Sequence, residues 1–334
     1  MQLFGTHRSI EPEGALPQAA HRLDAESELR ADEVAIDVDY LNIDAASWLE
    51  IRTSTGGSPE AMAQRIIDIV GRSGKMHNPA TGSGGMLVGT VAALGAHRSD
   101  PPIGERIASL FSLTLTPLRL DAILELDPSS EKVRVKGRAI LFGSGIYTPV
   151  PDDLPDEVTL GVLDVCGAPA WAHRLVRPGM KVAVIGAGGK SGMLVCAQAV
   201  RSAGLEGRVL GLCWPPDTTT AAQGGGAEAV AVDCTAPIEV LETVTTALDG
   251  ALADLVFVCA SVPGCEGGAI LSCDDDGRVV FFSMATSFTA AALTAEGLGK
   301  ACDMTIGNGY VPGHARLALD LVRSEPLLLE AFGG

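Results

Sequence analysis

The chain has 334 residues, of which 47% are hydrophobic and 19% are charged, and its formal net charge is −17. This length predicts about two domains with large cores, and the composition argues against a disordered chain. The negative charge argues against nucleic acid or an anionic membrane as a partner, because both select a basic surface.

All eight cysteines lie at or after Cys166, and none belongs to a C-x-x-C pair. Several fall within apolar segments, which predicts buried, reduced thiols rather than a disulfide framework. The sequence also lacks an apolar run of about 18 residues, and no basic start is followed by an apolar segment. We therefore expect a soluble protein of the cytoplasm.

The first half of the chain predicts mainly short strands joined by loops. Residues 1–31 form a turn-rich entry, and residues 32–44 alternate apolar and acidic side chains, as a half-buried strand does. A helix is expected from the Ser58 cap to about Val70. A glycine-rich loop covers residues 77–85. Further strands are expected at residues 86–95, 106–115 and 132–141.

A segment dense in glycine and proline, residues 141–155, marks the expected domain boundary. It separates a β-rich first domain, residues 1–150, from a second domain, residues 151–334. In the second domain apolar strands alternate with helical stretches, which predicts an α/β fold with a doubly wound parallel sheet. The strands are expected at residues 182–185, 208–213, 228–233, 254–260 and 278–284. Helices are expected at residues 193–200, 238–248 and 314–323.

The sequence VAVIGAGGKSG at residues 182–192 combines a strand, a glycine turn and the start of a helix. A dinucleotide fingerprint requires this context, in which backbone N–H groups approach a pyrophosphate at a helix N-terminus. The spacing departs from G-x-G-x-x-G, so a turn that binds nothing stays open. A P-loop is disfavoured because Val184 stands where that motif needs glycine. The cofactor-binding residues expected here are Gly186, Gly188, Gly189, Lys190, Ser191 and Gly192.

Residues that follow the other strands are expected to complete the cofactor site, because the carboxyl ends of parallel strands share one edge. The candidates are Cys213, Trp214, Asp233, Cys259, Ser283 and Met284, with Asn308 and Tyr310 as weaker ones. No lysine or arginine occurs between Arg208 and Arg278, where a 2′-phosphate would require one. This favours NAD, and NADP stays open.

No zinc is expected. A catalytic zinc needs three protein ligands at one open site, and no cysteine precedes Cys166. His77 and Cys166 have no third partner in the sequence pattern. The reaction centre must then use protein acids, bases and hydrogen-bond donors.

Three residues of the first domain are candidates for proton transfer, namely Asp44, His77 and Tyr147. Asp44 ends the predicted strand, and the alternative is a turn or cap carboxylate. His77 opens the glycine-rich loop, and the alternative is a surface histidine. Tyr147 lies in the boundary segment, where it could donate a hydrogen bond or only pack. Polar neighbours that are candidates for substrate contact are Asn42, Ser47, Ser83 and Ser144.

The order of a β-rich domain, a boundary and a nucleotide domain resembles the medium-chain dehydrogenase/reductase superfamily. GERI at residues 104–107 is similar to its G-D-R-V strand entry. TGSG at residues 81–84 falls where zinc-dependent members carry Gly-His-Glu, so the histidine ligand is absent. Cys166 falls near another zinc-ligand position, but Asp44 stands near the third. The resemblance therefore implies a zinc-free branch, with a GroES-like catalytic domain followed by a Rossmann domain.

Nine segments spread over residues 5–310 carry a closer resemblance within that branch. They are GTHRSIEPEGALPQAA, LNIDAASW, HNPATGSGGM, SLTLTPL, GSGIY, LDVCGAPA, VIGAGGKSGML, FFSMATSF and IGNGY. These segments resemble the family of L-erythro-3,5-diaminohexanoate dehydrogenases. The resemblance implies an enzyme of lysine fermentation, a homodimer that oxidatively deaminates this substrate with NAD. The products would be 5-amino-3-oxohexanoate and ammonia.

The implied reaction assigns roles to individual residues. A base must deprotonate the amine and then assist the attacking water, and we expect Asp44 or His77, with Asp44 preferred. Candidates for the substrate carboxylate are Arg8 and Lys190, and candidates for the distal ammonium are Glu105 and Asp164. Two alternatives stay open: a zinc-free quinone or enone reductase that uses NADPH, and a non-catalytic NAD(P)H-binding sensor.

Overall fold

The computed structural model describes residues 4–333, with an antiparallel six-stranded sheet in the first part of the chain and a parallel one in the second. The chain divides into two units, residues 1–160 and residues 161–334. The α/β fold class agrees with the prediction. Within the described residues, every helix is too short or too polar to cross a membrane.

The first unit begins with two short paired strands, β1 (Ser9–Glu11) and β2 (Arg22–Leu23). The elements that follow are β3 (Val34–Asn42), α1 (Ala45–Ser54), α2 (Pro59–Ser73), β4 (Met86–Leu94), β5 (Arg106–Ser109), β6 (Leu118–Leu126), β7 (Lys132–Leu141), β8 (Tyr147–Pro149) and α3 (Asp156–Asp164), which ends beyond the division between the units. The sheet has the strand order β6-β7-β3-β4-β5-β8.

Alternation along β7 and the apolar face of α2 build the core of the first unit. Val133 and Val135 are buried while the residues between and beside them face outward, as a half-buried strand requires. Met62 and Ile66 project from α2 into the same core. The predicted α2 is confirmed: Ser58 caps it by accepting from the backbone N–H of Ala61.

Several elements of the first unit depart from the prediction. The sequence pattern predicts neither α1 nor β6. The strand expected at residues 106–115 ends at Ser109, because Ser112 caps a 3-10 turn at Leu113–Leu115. β8 lies inside the segment expected to be a loop. The strand expected to reach Asp44 ends two residues earlier, because Asp44 caps α1.

The second unit alternates strands and helices. Its elements are α4 (Gly167–Leu175), β9 (Lys181–Ile185), α5 (Lys190–Ala203), β10 (Arg208–Cys213), α6 (Thr219–Gln223), β11 (Glu228–Ala231), α7 (Pro237–Ala247), β12 (Ala253–Val258), α8 (Glu266–Ser272), β13 (Cys273–Phe281), α9 (Phe288–Leu298), β14 (Asp303–Ile306), α10 (His314–Ser324) and α11 (Pro326–Gly333). The strand order is β11-β10-β9-β12-β13-β14.

β9 lies at the centre of this parallel sheet, with β10 on one side and β12 on the other. Val182, Val184 and Ile185 of β9 are fully buried, as a central strand covered on both faces requires. After β9 the chain adds β10 and then β11 on one side, and it later returns to add β12, β13 and β14 on the other side. This reversal creates the switch point at which doubly wound sheets bind ligands, so the glycine turn after β9 lies where a nucleotide site is expected.

Candidate active site

Asp44 lies between β3 and α1 and joins two parts of the first unit through one carboxylate oxygen. Its Oδ1 accepts from the backbone N–H of Ser47 at 3.0 Å and from the hydroxyl of Ser83 at 2.8 Å. Its Oδ2 is buried and has no hydrogen-bond partner among the described residues. Asp44 is therefore a helix cap, the alternative considered from the sequence, and it also carries an oxygen available to accept a proton.

The Ser83 hydroxyl that contacts this carboxylate also contacts the hydroxyls of Ser47 and Thr81. The Ser47 and Thr81 oxygens are 2.6 Å apart, and the Ser47 and Ser83 oxygens are 2.9 Å apart. The third distance, between Thr81 and Ser83, is 3.0 Å. We call these three side chains the hydroxyl ring. The sequence singles out Ser47 and Ser83, and the structure brings both together with Asp44.

Asn78 holds the glycine-rich loop in the position that closes the hydroxyl ring. Its Nδ2 donates to Glu50 of α1 at 2.8 Å, and its Oδ1 accepts from the backbone N–H of Ala80 at 3.0 Å. Its backbone N–H donates to the Ser83 carbonyl at 3.0 Å, and its carbonyl accepts from Gly82. The loop is therefore fixed to α1 by a fully buried amide, which is a pre-organised arrangement.

His77 and Lys75 stand at the entrance of the same loop. The Nδ1 atom of His77 is buried without a partner among the described residues, and burial, followed by the charge of Lys75, lowers the histidine pKa. His77 is therefore neutral at pH 7. Lys75 is buried and donates to the carbonyl of Pro17 at 2.8 Å, and burial lowers its pKa to about 8. The sequence pattern does not single out Lys75, since only its position next to the loop marks it.

A third candidate residue of the first unit has an unpartnered polar atom. Besides Asp44 Oδ2 and His77 Nδ1, the Nδ2 atom of Asn42 is buried without a hydrogen-bond partner in the described chain. Native proteins pair the great majority of buried polar groups, so such atoms require an explanation. A polar ligand that uses these atoms would supply one.

Arg8 has a different place from the one expected for a substrate ligand. Its side chain is only 1% exposed, and its guanidinium donates to both carboxylate oxygens of Glu33 at 2.9 and 2.7 Å. It also donates to the carbonyls of Asp24, Ser27 and Glu28. We therefore remove Arg8 from the residues proposed to bind the substrate, because its charge is already used inside the fold.

Tyr147, another predicted residue, has its described contact away from Asp44. The hydroxyl of Tyr147 donates to Asp100 at 2.8 Å, and burial together with this bond raises the tyrosine pKa to about 12. Of the remaining candidates, Ser144 is exposed, and Glu105 is half-buried just before β5. Asp164 is the last residue of α3.

The glycine turn of the second unit has the geometry that the fingerprint requires. Gly186 has a φ of 80°, a left-handed conformation that favours glycine. A side chain at Gly192 would overlap the Gly186 carbonyl, so glycine lets α5 start directly against the turn. Gly188 is similarly confined by Thr218. These positions require glycine, which is consistent with the glycine turn predicted from the sequence.

The N-terminus of α5 is open to an anion. Gly189 stands at the cap position, no side chain caps the helix, and its first turn contains no acidic residue. Lys190, Ser191 and Gly192 form that first turn. The uncapped N–H groups and the helix dipole together favour a phosphate group at this point. These residues therefore fit the pyrophosphate of a dinucleotide.

The other cofactor candidates follow neighbouring strands. The backbone N–H of Cys259 donates to the Ile185 carbonyl at 2.8 Å, and that of Ser283 donates to the Val258 carbonyl at 3.0 Å. Cys213 is buried at the end of β10, and Asp233 follows β11 and accepts from Thr235. Trp214 and Met284 are 57% and 86% exposed. The weaker candidates Asn308 and Tyr310 follow β14, and the Asn308 carbonyl accepts from Trp171.

The thiols of the second unit are unpaired. Within the described residues all eight cysteines are free, and seven of them are buried. Burial raises the pKa of Cys259 to about 12 and that of Cys234 to about 11, so both are neutral thiols. Within residues 4–333, no three histidine, cysteine, aspartate or glutamate side chains are grouped as a metal site requires.

Comparison with known sequences gives two close relatives. Residues 7–151 match the profile described as the N-terminal domain of L-erythro-3,5-diaminohexanoate dehydrogenase. The L-erythro-3,5-diaminohexanoate dehydrogenases of Acetoanaerobium sticklandii and Fusobacterium nucleatum are each 43% identical to this chain over 334 residues. Each alignment covers 98% of this chain and 97% of the relative.

Comparison with solved structures gives the fold. A quinone oxidoreductase of Pseudomonas syringae is 18% identical with a TM-score of 0.57, covering 92% of this chain and 88% of the other. The alcohol dehydrogenase TADH of Thermus sp. ATN1 is 18% identical with a TM-score of 0.54, covering 94% and 86%. The quinone oxidoreductase of Escherichia coli in complex with NADPH is 15% identical with a TM-score of 0.56, covering 92% and 82%. These likenesses show that the chain shares the fold of these structures, in agreement with the predicted α/β class.

Replacing Gly189 by alanine tests the nucleotide turn without disturbing the fold. Gly189 has φ −84° and ψ 165°, and the nearest atom to an added methyl group is the Gly186 carbonyl oxygen at 3.7 Å. We expect a free energy of unfolding within about 0.5 kcal/mol of the parent. Affinity for NADH, measured by fluorescence titration, should fall about tenfold or more, because the methyl group displaces the pyrophosphate from its N–H donors.

Gly297→Ala is the matched control, since it adds a methyl group to an exposed position of α9 with no atom within 4 Å. Parental NADH affinity in both variants would contradict a nucleotide site at this turn.

Proposed function

Because this chain belongs to the family of L-erythro-3,5-diaminohexanoate dehydrogenases, we propose that it catalyses the NAD-dependent oxidative deamination of L-erythro-3,5-diaminohexanoate. The products are 5-amino-3-oxohexanoate and ammonia, in the fermentation of lysine. The observation that carries the proposal is the 43% identity over 98% of the chain. The chain is thus an oxidoreductase with a nicotinamide cofactor, and the geometry of Asp44 supports its proposed role as the acid–base group.

The reaction requires a proton acceptor at two points. The substrate carries an ammonium group on C3. In each turnover C3 loses a hydride, the nitrogen loses protons, and water adds to C3. The products are a ketone and ammonium, with one net proton released. Bound NAD supplies the hydride acceptor. The amine must lose a proton before its lone pair can assist hydride departure, and the water must lose one as it attacks the resulting iminium. Both steps need a general base within hydrogen-bond reach.

We propose Asp44 as this base. Its Oδ1 is already held by Ser47 and Ser83, which fixes the carboxylate orientation. Its Oδ2 is buried without a partner in the described chain, so it can accept a proton without breaking an existing bond. His77 is the second candidate, because its lowered pKa keeps the imidazole neutral and its Nδ1 is unpartnered within the same description.

The substrate also carries a carboxylate and a second ammonium group. We propose Lys190 for the carboxylate, and Glu105 or Asp164 for the distal ammonium, on grounds of charge. Asn42, with its unpartnered Nδ2, is proposed to donate to the substrate. We propose that the hydroxyl of Ser144 contacts the substrate. The hydroxyl of Tyr147 is proposed to take part in proton transfer.

NAD is the proposed cofactor, and the N-terminus of α5 supports its pyrophosphate. No lysine or arginine lies within residues 209–277, which include the ends of β10 and β11. Asp217 and Asp233 lie just after those strands, so a 2′-phosphate would meet carboxylates rather than cations. We assign nucleotide binding to residues 151–334 and the acid–base chemistry to residues 1–150. No role for zinc is included in the proposal.

A homodimer in the cytoplasm is the proposed form of the enzyme. β14 is an edge strand with the exposed apolar residues Met304 and Ile306, and Leu293 of α9 is 62% exposed. An open apolar edge is suited to a second copy of the chain. The opposite edge strand, β11, begins with Glu228, which pairs with Arg208 at 2.9 Å, so that edge is charged rather than apolar. The free cysteines fit a reducing compartment.

Asp44→Asn separates the proton-accepting role from the structural role. The asparagine Oδ1 can still accept from Ser47 and Ser83, so the helix cap is retained. We expect turnover, measured as NADH formed with L-erythro-3,5-diaminohexanoate, to fall about 10²-fold or more. Asp127→Asn is the control, because Asp127 is an exposed carboxylate bonded to Ser129. Turnover at the parental rate in Asp44→Asn would show that Asp44 is not the general base.

Cofactor preference follows from the charges at the ends of β10 and β11. We expect kcat/KM for NAD to exceed that for NADP about tenfold or more. Residues 209–277 contain no lysine or arginine that could donate a charge-assisted hydrogen bond to the 2′-phosphate of NADP. Steady-state rates with both cofactors at saturating substrate measure the ratio. Equal rates, or a preference for NADP, would contradict the assignment.

Ile306→Glu tests the proposed dimer. Ile306 is 61% exposed on β14, and a carboxylate there would place like charges opposite each other in a symmetric contact. We expect the sedimentation coefficient to change from that of a dimer to that of a monomer. Ile238→Glu is the control, at a 58% exposed position on α7. A parent that sediments as a monomer, or a dimer that survives Ile306→Glu, would exclude this surface.

A further inference from the structure

Two thiols lie close together at the start of the last two strands of the parallel sheet. Cys273 is the first residue of β13, and Cys302 immediately precedes β14. Both are free and buried, with 0% and 6% of their surface exposed. Neither residue belongs to the glycine turn or to the hydroxyl ring, and the proposed reaction uses neither of them.

A bulge in β13 determines the position of the first thiol. The bulge lies between Cys273 and Arg278, where the pairing of β13 with β12 changes register. A Cβ atom at Gly277, inside this bulge, would lie 2.8 Å from the Cys273 sulfur. The sulfur therefore occupies the space that a side chain at Gly277 would need, which explains why this position is glycine.

The pairing of β13 with β14 places the second thiol beside that space. Arg278 of β13 is paired with Asp303 of β14. Gly277 and Cys302 precede this pair by one residue on each strand, so they are neighbours as well. Side chains of neighbouring residues on adjacent strands project from the same face of a sheet. Cys302 therefore projects toward the Cys273 sulfur, and burial, followed by the Cys302 thiol, raises the pKa of Cys273.

Other buried thiols of the second unit have backbone partners instead. The Cys234 thiol donates to the Val232 carbonyl and the Cys265 thiol to the Val262 carbonyl, each at 3.6 Å. Such thiols are held by the main chain. Two thiols that face each other across neighbouring strands have the arrangement that a disulfide requires.

Lys300 stands next to the two thiols. Its ammonium group binds Asp275 at 3.1 Å, which joins the β13 bulge to the segment before β14. Its positive charge also favours a thiolate at Cys273 and so opposes the effect of burial on the pKa of that thiol. A neighbouring cation helps a cysteine to react, because the thiolate is the nucleophile.

We propose that Cys273 and Cys302 form a redox site, at which a peroxide converts the two thiols to a disulfide. The Cys302 sulfur, the more exposed of the two, attacks one peroxide oxygen and becomes a sulfenic acid, with release of water. The Cys273 sulfur then attacks the sulfenic sulfur, with release of a second water. Two thiols and one hydrogen peroxide thus give one disulfide and two waters, and a dithiol reductant restores the thiols.

A disulfide at this site joins an edge strand covalently to the rest of the sheet. β14 is an edge strand, and its neighbour in the sheet is β13. The bond lies at the start of these strands, whereas the glycine turn follows the carboxyl end of β9. Nucleotide binding therefore does not depend on the redox state of the site. The inference is independent of the proposed function.

Limited oxidation of the whole protein tests the inference. The reduced protein is treated with a stoichiometric amount of hydrogen peroxide, the remaining thiols are alkylated after unfolding, and tryptic peptides are analysed by mass spectrometry. Trypsin releases Cys302 as the single cysteine of residues 301–316. We expect fragmentation spectra to show this peptide linked to Cys273, with the other cysteines alkylated. Treatment with dithiothreitol should separate the two peptides.

Cys273→Ser and Cys265→Ser are matched variants, because each removes one buried thiol of the second unit. The linked peptide should be lost in Cys273→Ser and retained in Cys265→Ser. A bond from Cys302 to another cysteine would overturn the proposal. So would the absence of a linked peptide from the parent protein after the peroxide has been consumed.

Hydrogen exchange measures the structural effect in the parent protein alone. We expect the amides of residues 304–306 to exchange about fivefold or more slowly after oxidation, because the disulfide opposes separation of β14 from β13. Affinity for NADH should stay within about twofold of that of the reduced protein. Equal exchange in the two forms, or loss of NADH binding on oxidation, would contradict a redox site that acts on this edge strand.

Discussion

One carboxylate oxygen, Asp44 Oδ1, holds the candidate active site of the first unit together. It caps α1 through Ser47 and binds Ser83 of the glycine-rich loop, at 3.0 and 2.8 Å. Because both bonds end on the same atom, the start of the helix and the loop cannot move apart independently. The second oxygen stays unpartnered among the described residues, so the interaction that fixes the carboxylate also leaves it able to accept a proton.

In the second unit the N-terminus of α5 provides the candidate binding group, because no described side chain caps it. A 14-residue helix, α5, begins at the centre of a parallel sheet without a side-chain cap or an acidic first turn. The donors at this end are costly to bury unless an anion meets them. In both units, therefore, local structure is well fixed while selected polar groups lack partners in the described chain. This division is what a binding and proton-transfer role demands.

Elements with strong local signals could be predicted from the sequence. The alternation of β7 and the Ser58 cap of α2 are encoded within about ten residues, and both appear where the pattern placed them. The glycine turn is likewise local. α1 was not predictable, since its apolar residues do not repeat on one face and its cap, Asp44, also fits the end of a strand. Arg8 could not be placed, because its partner Glu33 lies 25 residues away.

The hydroxyl ring illustrates the same limit, since Ser47 and Thr81 are separated by 34 residues and only the fold joins them.

The proposed reaction moves a hydride from the amine-bearing C3 carbon of the substrate to NAD. The most direct measurement uses L-erythro-3,5-diaminohexanoate deuterated at C3, with mass analysis of the reduced cofactor and determination of ammonia. We expect one deuterium in each reduced cofactor and one ammonia released with it. Unlabelled reduced cofactor, or its formation without ammonia, would contradict the proposed reaction.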